Sequence, residues 1–95
     1  MSPELDLMEV LYGENEPLWY AAVQLGSAET ARHVVASLLK HGQIEMLCDG
    51  EPTKHWQWRE ILADEVSWQP VKPKESSRLW LQLTDAGIKY YSGEG

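Results

Sequence analysis

The sequence predicts an α+β fold for a single small domain of 95 residues. Apolar residues first recur with a helical period, then alternate with polar residues in two later segments, and residues 51–78 separate those segments. A chain of this size has room for one hydrophobic core. With 43% hydrophobic and 24% charged residues, its composition is that of an ordinary globular domain.

Glycine, proline and serine mark the first two helices. Ser2 is a typical N-cap and Pro3 is favoured at the first helical position, so a helix is predicted from Pro3 to Gly13. We expect Gly13 to end it in a left-handed cap. A second helix is predicted to begin at Pro17 and to close at Gly26.

The third helix has the clearest pattern. Ser27 is its expected N-cap, and Gly42 is expected to terminate it. Between them, apolar residues fall at i, i+3, i+4, i+7 and i+8 on one face, namely Ala31, Val34, Val35, Leu38 and Leu39. This face is therefore predicted to pack into the core.

Two strands and a short helix follow in the C-terminal half. The apolar residues of the strands are Ile44, Met46 and Cys48 in one and Leu79, Leu81 and Leu83 in the other. Thr84 is expected to cap a helix that ends near Tyr91, with Ile88 and either Tyr90 or Tyr91 facing inward. Gly87 weakens this helix but permits close packing. Residues 92–95 are expected to fray.

The connection between the two strands, residues 51–78, is too long for a structureless loop in a compact domain. We expect Thr53 to cap a helix over 54–64 whose apolar face holds Trp58, Ile61 and Leu62. Residues 66–71 are extended in this prediction and pair with residues 78–83 as a hairpin.

Charge and cysteine content limit the classes of function. The chain has 15 Asp and Glu against 8 Lys and Arg, a net charge of −7, which argues against a general nucleic-acid coating protein. Residues 1–26 hold five of the acids and no Lys or Arg. One cysteine permits no disulfide framework within the chain, and no apolar run is long enough to cross a membrane. With an acidic N-terminus unlike a signal peptide, we expect a cytoplasmic protein.

Motifs for enzymatic chemistry are absent from the sequence. There is no Cys pair, no His-Glu-x-x-His, no Gly-rich phosphate loop and no nucleophile elbow. Cys48 sits in a predicted strand and is expected to serve as a small core residue. We therefore predict no metal, no cofactor and no enzymatic activity.

The order of elements resembles that of winged-helix regulators of the MarR and PadR kind. Residues 17–45 resemble their helix-turn-helix and first wing strand, with Leu-Gly before the Ser27 cap and Leu38-Leu39-Lys40-His41-Gly42-Gln43-Ile44 leading into the strand. Leu83-Thr84-Asp85-Ala86-Gly87 resembles the end of the wing. The resemblance covers residues 5–50 and 79–91, whereas residues 51–78 exceed an ordinary wing. It implies a three-helix bundle with a β-hairpin wing that contains a helical excursion.

The resemblance implies duplex DNA as a partner, with the third helix in the major groove and the wing on the backbone. The residues implied to bind DNA are Thr30, Arg32, His33, Ser37 and Lys40 on the helix and Lys72, Lys74 and Arg78 in the wing. The alternative is a winged helix that binds a protein partner or its own copy and no DNA. The acidic net charge, Glu29 at the helix N-terminus and the cluster of Trp56, Trp58 and Trp68 favour this alternative.

Overall fold

Over residues 2–93, which the computed structural model describes, the chain forms five α-helices and one antiparallel sheet of four strands. The α+β prediction is confirmed. The elements are α1 (Pro3–Gly13), β1 (Glu16–Pro17), α2 (Leu18–Leu25), α3 (Ala28–Lys40), β2 (Ile44–Cys48), β3 (Glu51–Pro52), α4 (His55–Ala63), β4 (Leu79–Leu83) and α5 (Asp85–Ser92). Single 3₁₀ turns occupy Glu65–Trp68 and Lys74–Ser76.

Hydroxyl side chains cap three helices as predicted. Ser2 Oγ accepts from the N–H of Leu5 at 3.2 Å, Ser27 Oγ from that of Thr30, and Thr84 Oγ1 from that of Gly87, the last two at 3.1 Å. These bonds satisfy amide groups that have no partner within the helix. The positions of three helix starts were therefore readable from single residues.

The C-terminal ends of the helices differ in backbone conformation. Gly26 ends α2 with φ +91°, a left-handed conformation that suits glycine. The left-handed cap expected at Gly13 is wrong, because Gly13 stays helical and Glu14 follows in an extended conformation with φ −164°. An extended exit leads the chain directly into β1. At the C-terminus α5 reaches Ser92 and Gly93 caps it; residues 94 and 95 of the predicted frayed tail lie outside the described range.

The sheet is arranged in the order β1-β4-β2-β3. The β2–β4 ladder runs from the pair Ile44 and Leu83 to the pair Cys48 and Leu79, and β1 covers the other edge of β4. The predicted hairpin between residues 66–71 and 78–83 is wrong, because β4 already has a strand on each side. Residues 65–68 instead form a 3₁₀ turn.

The core lies between the sheet and the helices. The five α3 residues predicted to be buried are all buried, together with apolar residues of α1, α2, β2 and β4. Leu62 of α4 and Trp68 also enter this core. The connection is thus a packed part of the domain rather than an appendage.

Thr53 has a different role from the predicted one. Lys54 is the N-cap of α4, while the Thr53 hydroxyl donates to the Met46 carbonyl at 2.8 Å and accepts from the indole N–H of Trp58 at 3.0 Å. The apolar face predicted for α4 is confirmed, since Leu62 is buried and Trp58 and Ile61 pack against the core.

Helix α5 packs through Gly87 and Tyr91, which lie one turn apart. Of the two alternatives for the inward tyrosine, Tyr91 packs on the core and Tyr90 is exposed, so that prediction is confirmed. The inward position predicted for Ile88 is wrong, because Ile88 is 39% exposed. Gly87 and Tyr91 share the inward face of α5, whereas Ile88 and Tyr90 lie on its solvent-facing side. Within residues 2–93, no helix has the length and hydropathy needed to cross a membrane.

Gly87→Ala should destabilise the protein by about 1–3 kcal/mol, the usual effect of overpacking. A Cβ there would collide with the Gln43 carbonyl oxygen and lie 3.0 Å from Leu83 Cδ2. The Gln43 carbonyl accepts a bond from Thr84 N–H and cannot easily move. Gly13→Ala is the matched control, because no atom lies within 4 Å of its Cβ position. Urea denaturation of both variants measures the difference, and equal stabilities would contradict the packing described.

Candidate functional site

The outward face of α3 brings together four of the predicted DNA-binding residues. Thr30, His33 and Lys40 are exposed and Ser37 is half-buried, on the side of α3 opposite to its five buried residues. Glu29 shares this face. The face is therefore open to solvent, as the resemblance implies.

This face carries little positive charge. Lys40 is its one Lys or Arg, and Glu29 lies in the first turn, where it would oppose an approaching phosphate. The Thr30 hydroxyl accepts from Ser27 Oγ at 3.1 Å, which ties it to the N-cap. Duplex DNA requires several phosphate contacts for tight binding, and α3 alone offers few.

Arg32 does not join the exposed face of α3. Its Nε donates to the carbonyl of Leu62 at 2.7 Å, and the same carbonyl accepts from the indole N–H of Trp68 at 2.9 Å. Arg32 thereby connects α3 to the end of α4. Its Nε is therefore used in the fold, and its contact with DNA stays a prediction.

Lys74 is likewise bonded within the chain. Its Nζ lies 2.6 Å from Glu16 Oε1 and 3.9 Å from Glu14 Oε1, and it also lies over the ring of Tyr20. Glu16 is buried, so this ion pair supplies the charge partner that a buried carboxylate requires. The hydrogen bond with Glu16 raises the pKa of Lys74 above its ordinary value.

Arg78 pairs with Asp49 across the open end of the β2–β4 ladder. Two bonds join them, from Nε to Oδ1 at 3.1 Å and from a terminal nitrogen to Oδ2 at 2.8 Å. Hydrogen bonding to Arg78 lowers the pKa of Asp49, and the same bond raises the pKa of Arg78. Of the predicted wing residues, Lys72 is exposed and forms no ion pair among residues 2–93.

In the described part of the chain, four of the five tryptophans donate an indole hydrogen bond to another residue, and Trp56 does not. Trp58 and Trp68 bond to Thr53 and Leu62, while Trp19 and Trp80 bond to the hydroxyl and carbonyl of Ser77. Trp68 is only 7% exposed, so it cannot anchor a partner. The sequence grouped Trp56, Trp58 and Trp68, and the structure separates them by burial.

Trp56 is 69% exposed on the outward side of α4. Its ring meets the ring of His55 edge-on, with centroids 5.1 Å apart. Lys54, two residues before it, and Arg59, three residues after it, are exposed, and neither forms an ion pair in the described part of the chain. We call Lys54, His55, Trp56, Arg59 and Glu60 the α4 surface.

Cys48 was expected in the core and is instead half-buried. It lines a groove of about 420 Å³ between the connection and the body of the domain, and its Sγ lies 3.9 Å from Asp49 Oδ2. Across residues 2–93, no three His, Cys, Asp or Glu side chains come together in a group that could hold a metal ion.

Comparison of the chain with protein-family models, with curated proteins and with solved structures finds no match. The function is therefore argued from the surfaces themselves. Two of them have the exposure that recognition needs, namely the outward face of α3 and the α4 surface.

Lys74→Met should lower the melting temperature, because it leaves the buried carboxylate of Glu16 without its partner. Lys72→Met is the matched control in the same segment and should leave the melting temperature unchanged. Thermal unfolding followed by circular dichroism at neutral pH measures both. An equal effect of the two substitutions would refute the role of Lys74.

The effect of Lys74→Met should also depend on pH. Since the folded pKa of Lys74 is raised above 10.5, its stabilisation is complete below that pH and is lost as pH rises through the folded value. The difference in melting temperature between wild type and variant should hold from pH ~7 to ~10 and shrink above pH ~10.5. A difference that shrinks already at neutral pH would show that another group is responsible.

Proposed function

We propose that this chain is a winged-helix module that binds another protein through the α4 surface. The helix-helix-helix order followed by β2 and β4 supports the winged-helix topology, and the β2–β4 ladder would correspond to the wing strands. In this proposal α4 replaces the tip of an ordinary wing. The exposure of Trp56 is the single observation that carries the proposed function.

An exposed tryptophan is a strong candidate for an interface anchor. Tryptophan buries a large area when a partner covers it, and it is enriched with arginine among the residues that dominate binding energy. Trp56 and Arg59 lie on the same helix with both side chains exposed. The other four indoles already have hydrogen-bond partners, whereas the indole N–H of Trp56 has none among residues 2–93.

Helix α4 holds Trp56 on a rigid support. Leu62 is buried in the core, Arg32 bonds to its carbonyl, and Trp58 bonds to Thr53 at the start of the helix. A surface that is ordered before binding loses less conformational entropy when the partner arrives. This favours recognition by α4 over recognition by a flexible wing.

Binding of duplex DNA through α3 is the second candidate. The observation that favours it is the open face with His33, Ser37 and Lys40, which the connection leaves uncovered. The DNA candidate is weakened because Arg32, Lys74 and Arg78 each donate hydrogen bonds to other residues of the chain. The structure thus favours the protein partner over DNA.

Replacement of Trp56 by a photoreactive benzoylphenylalanine should crosslink one discrete protein in the native cells. The same residue placed at Val23, an exposed apolar position on α2, should not. With that protein purified, Trp56→Ala should raise Kd at least ~30-fold, as expected for a central anchor. Val23→Ala should change Kd less than about twofold. Equal Kd values for the two variants would exclude the α4 surface.

Fluorescence anisotropy with a mixed-sequence duplex tests the DNA candidate. At ~50 mM salt and tens of micromolar protein, even a non-specific binder should give a signal. If DNA binds through α3, Lys40→Ala should weaken binding and Lys89→Ala should not. Absence of binding under these conditions would remove the DNA candidate.

A further inference from the structure

An apolar groove of about 460 Å³ lies where the C-terminal end of α1 meets β4 and α5. Leu11, Tyr12, Leu83 and Ile88 form its apolar lining, and Glu14 and Asn15 add polar groups. It lies on different elements from the α4 surface.

The apolar groups at this groove are presented to solvent in an ordered arrangement. Tyr12 is 54% exposed although its ring packs on the ring of Tyr91, with centroids 5.2 Å apart. Ile88 faces solvent on the neighbouring helix. Because Tyr91 already restricts the Tyr12 ring, covering that ring would cost little additional side-chain entropy.

One acidic side chain lines the groove, and two more are exposed one helical turn from its lining residues. Glu14 lines it, Glu9 lies one helical turn before Tyr12, and Asp85 lies one turn before Ile88. The bases nearby are Lys89, which follows Ile88, and Lys74, which lies 3.9 Å from Glu14 but is bonded to Glu16. The groove therefore combines apolar contact with an excess of negative charge.

We infer that this groove binds a basic amphipathic segment of a partner protein. Apolar side chains of that segment would cover Tyr12 and Ile88, and its Lys or Arg residues would lie near Glu9, Glu14 and Asp85. A second copy of the chain fits less well, because each copy carries a net charge of −7 and like charges repel. The acidic border likewise disfavours the phosphates of a nucleic acid.

The probe for this inference is a fluorescein-labelled peptide with two repeats of Lys-Leu-Lys-Lys-Leu-Leu-Lys, which places its leucines on one helical face. Anisotropy at ~50 mM salt, where surface charges are weakly screened, should show saturable binding. A peptide with Glu in place of every Lys should not bind. No binding of the basic peptide, or equal binding of the acidic one, would overturn the inference.

Two variants with the same charge change locate the site. Ile88→Lys should raise Kd of the basic peptide at least about tenfold, because it removes an apolar contact and adds charge at the groove. Val23→Lys makes the same chemical change at an exposed position on α2 and should raise Kd less than about twofold. Equal effects would show binding to overall charge and overturn the proposed site.

Four further measurements separate loss of the groove from loss of the fold, from the α4 surface and from dimer formation. Circular dichroism should show Ile88→Lys folded, and Tyr12→Lys provides a second variant of the groove with the same expected loss. Trp56→Ala should leave the peptide affinity unchanged, so failure of the α4 proposal and failure of this one are distinguishable. If sedimentation shows a dimer that Tyr12→Lys dissociates, a second copy occupies the groove and the inference is wrong.

Discussion

The carbonyl of Leu62 accepts two hydrogen bonds, from Arg32 and from Trp68, and the arrangement of the connection depends on this junction. It joins α3, the end of α4 and the following 3₁₀ turn at one buried point. A buried carbonyl that lost both donors would remain unsatisfied, so the three segments hold one another in place. Because Arg32 bonds to this carbonyl, its Nε does not face solvent with the outward residues of α3. On α4, Leu62 faces the core and Trp56 faces solvent. One contact therefore shapes both candidate surfaces.

Ion pairs within the chain determine which charges each exposed surface presents, so the net charge of the whole chain does not describe any one surface. Lys74 forms an ion pair with the buried Glu16, and Arg78 forms one with Asp49. Two of the basic residues implied to bind phosphate therefore neutralise carboxylates of the chain itself. By contrast, α1 carries Glu4, Asp6 and Glu9 without a Lys or Arg. Besides the outward face of α3, two surfaces stay exposed, namely an aromatic and basic one on α4 and an apolar and acidic one between α1 and α5. Neither resembles an extended basic face of the kind that DNA requires.

Local sequence signals predicted the elements well and their pairing poorly. The period of Ala31, Val34 and Leu38 identified the buried face of α3, and each hydroxyl cap marked a helix start, because these signals arise within one turn of the chain. β1 has two residues, too few for any periodic pattern. The second neighbour of β4 could not be inferred either, since residues 66–71 read as an extended segment and the two residues of β1, which take that edge, did not.

Taken by itself, the sequence determined the α+β class, the five helices in their order, both long strands and the buried face of α3. Each of these follows from residue spacing and from the backbone preferences of Ser, Pro and Gly. The tertiary structure alone decided which polar and aromatic side chains remain available. Arg32, Lys74 and Trp68 are used by the fold, whereas Trp56, Tyr12 and Ile88 face solvent. Trp68 and Trp56 are the same residue type, and only the position of each side chain relative to distant segments makes one buried and the other exposed.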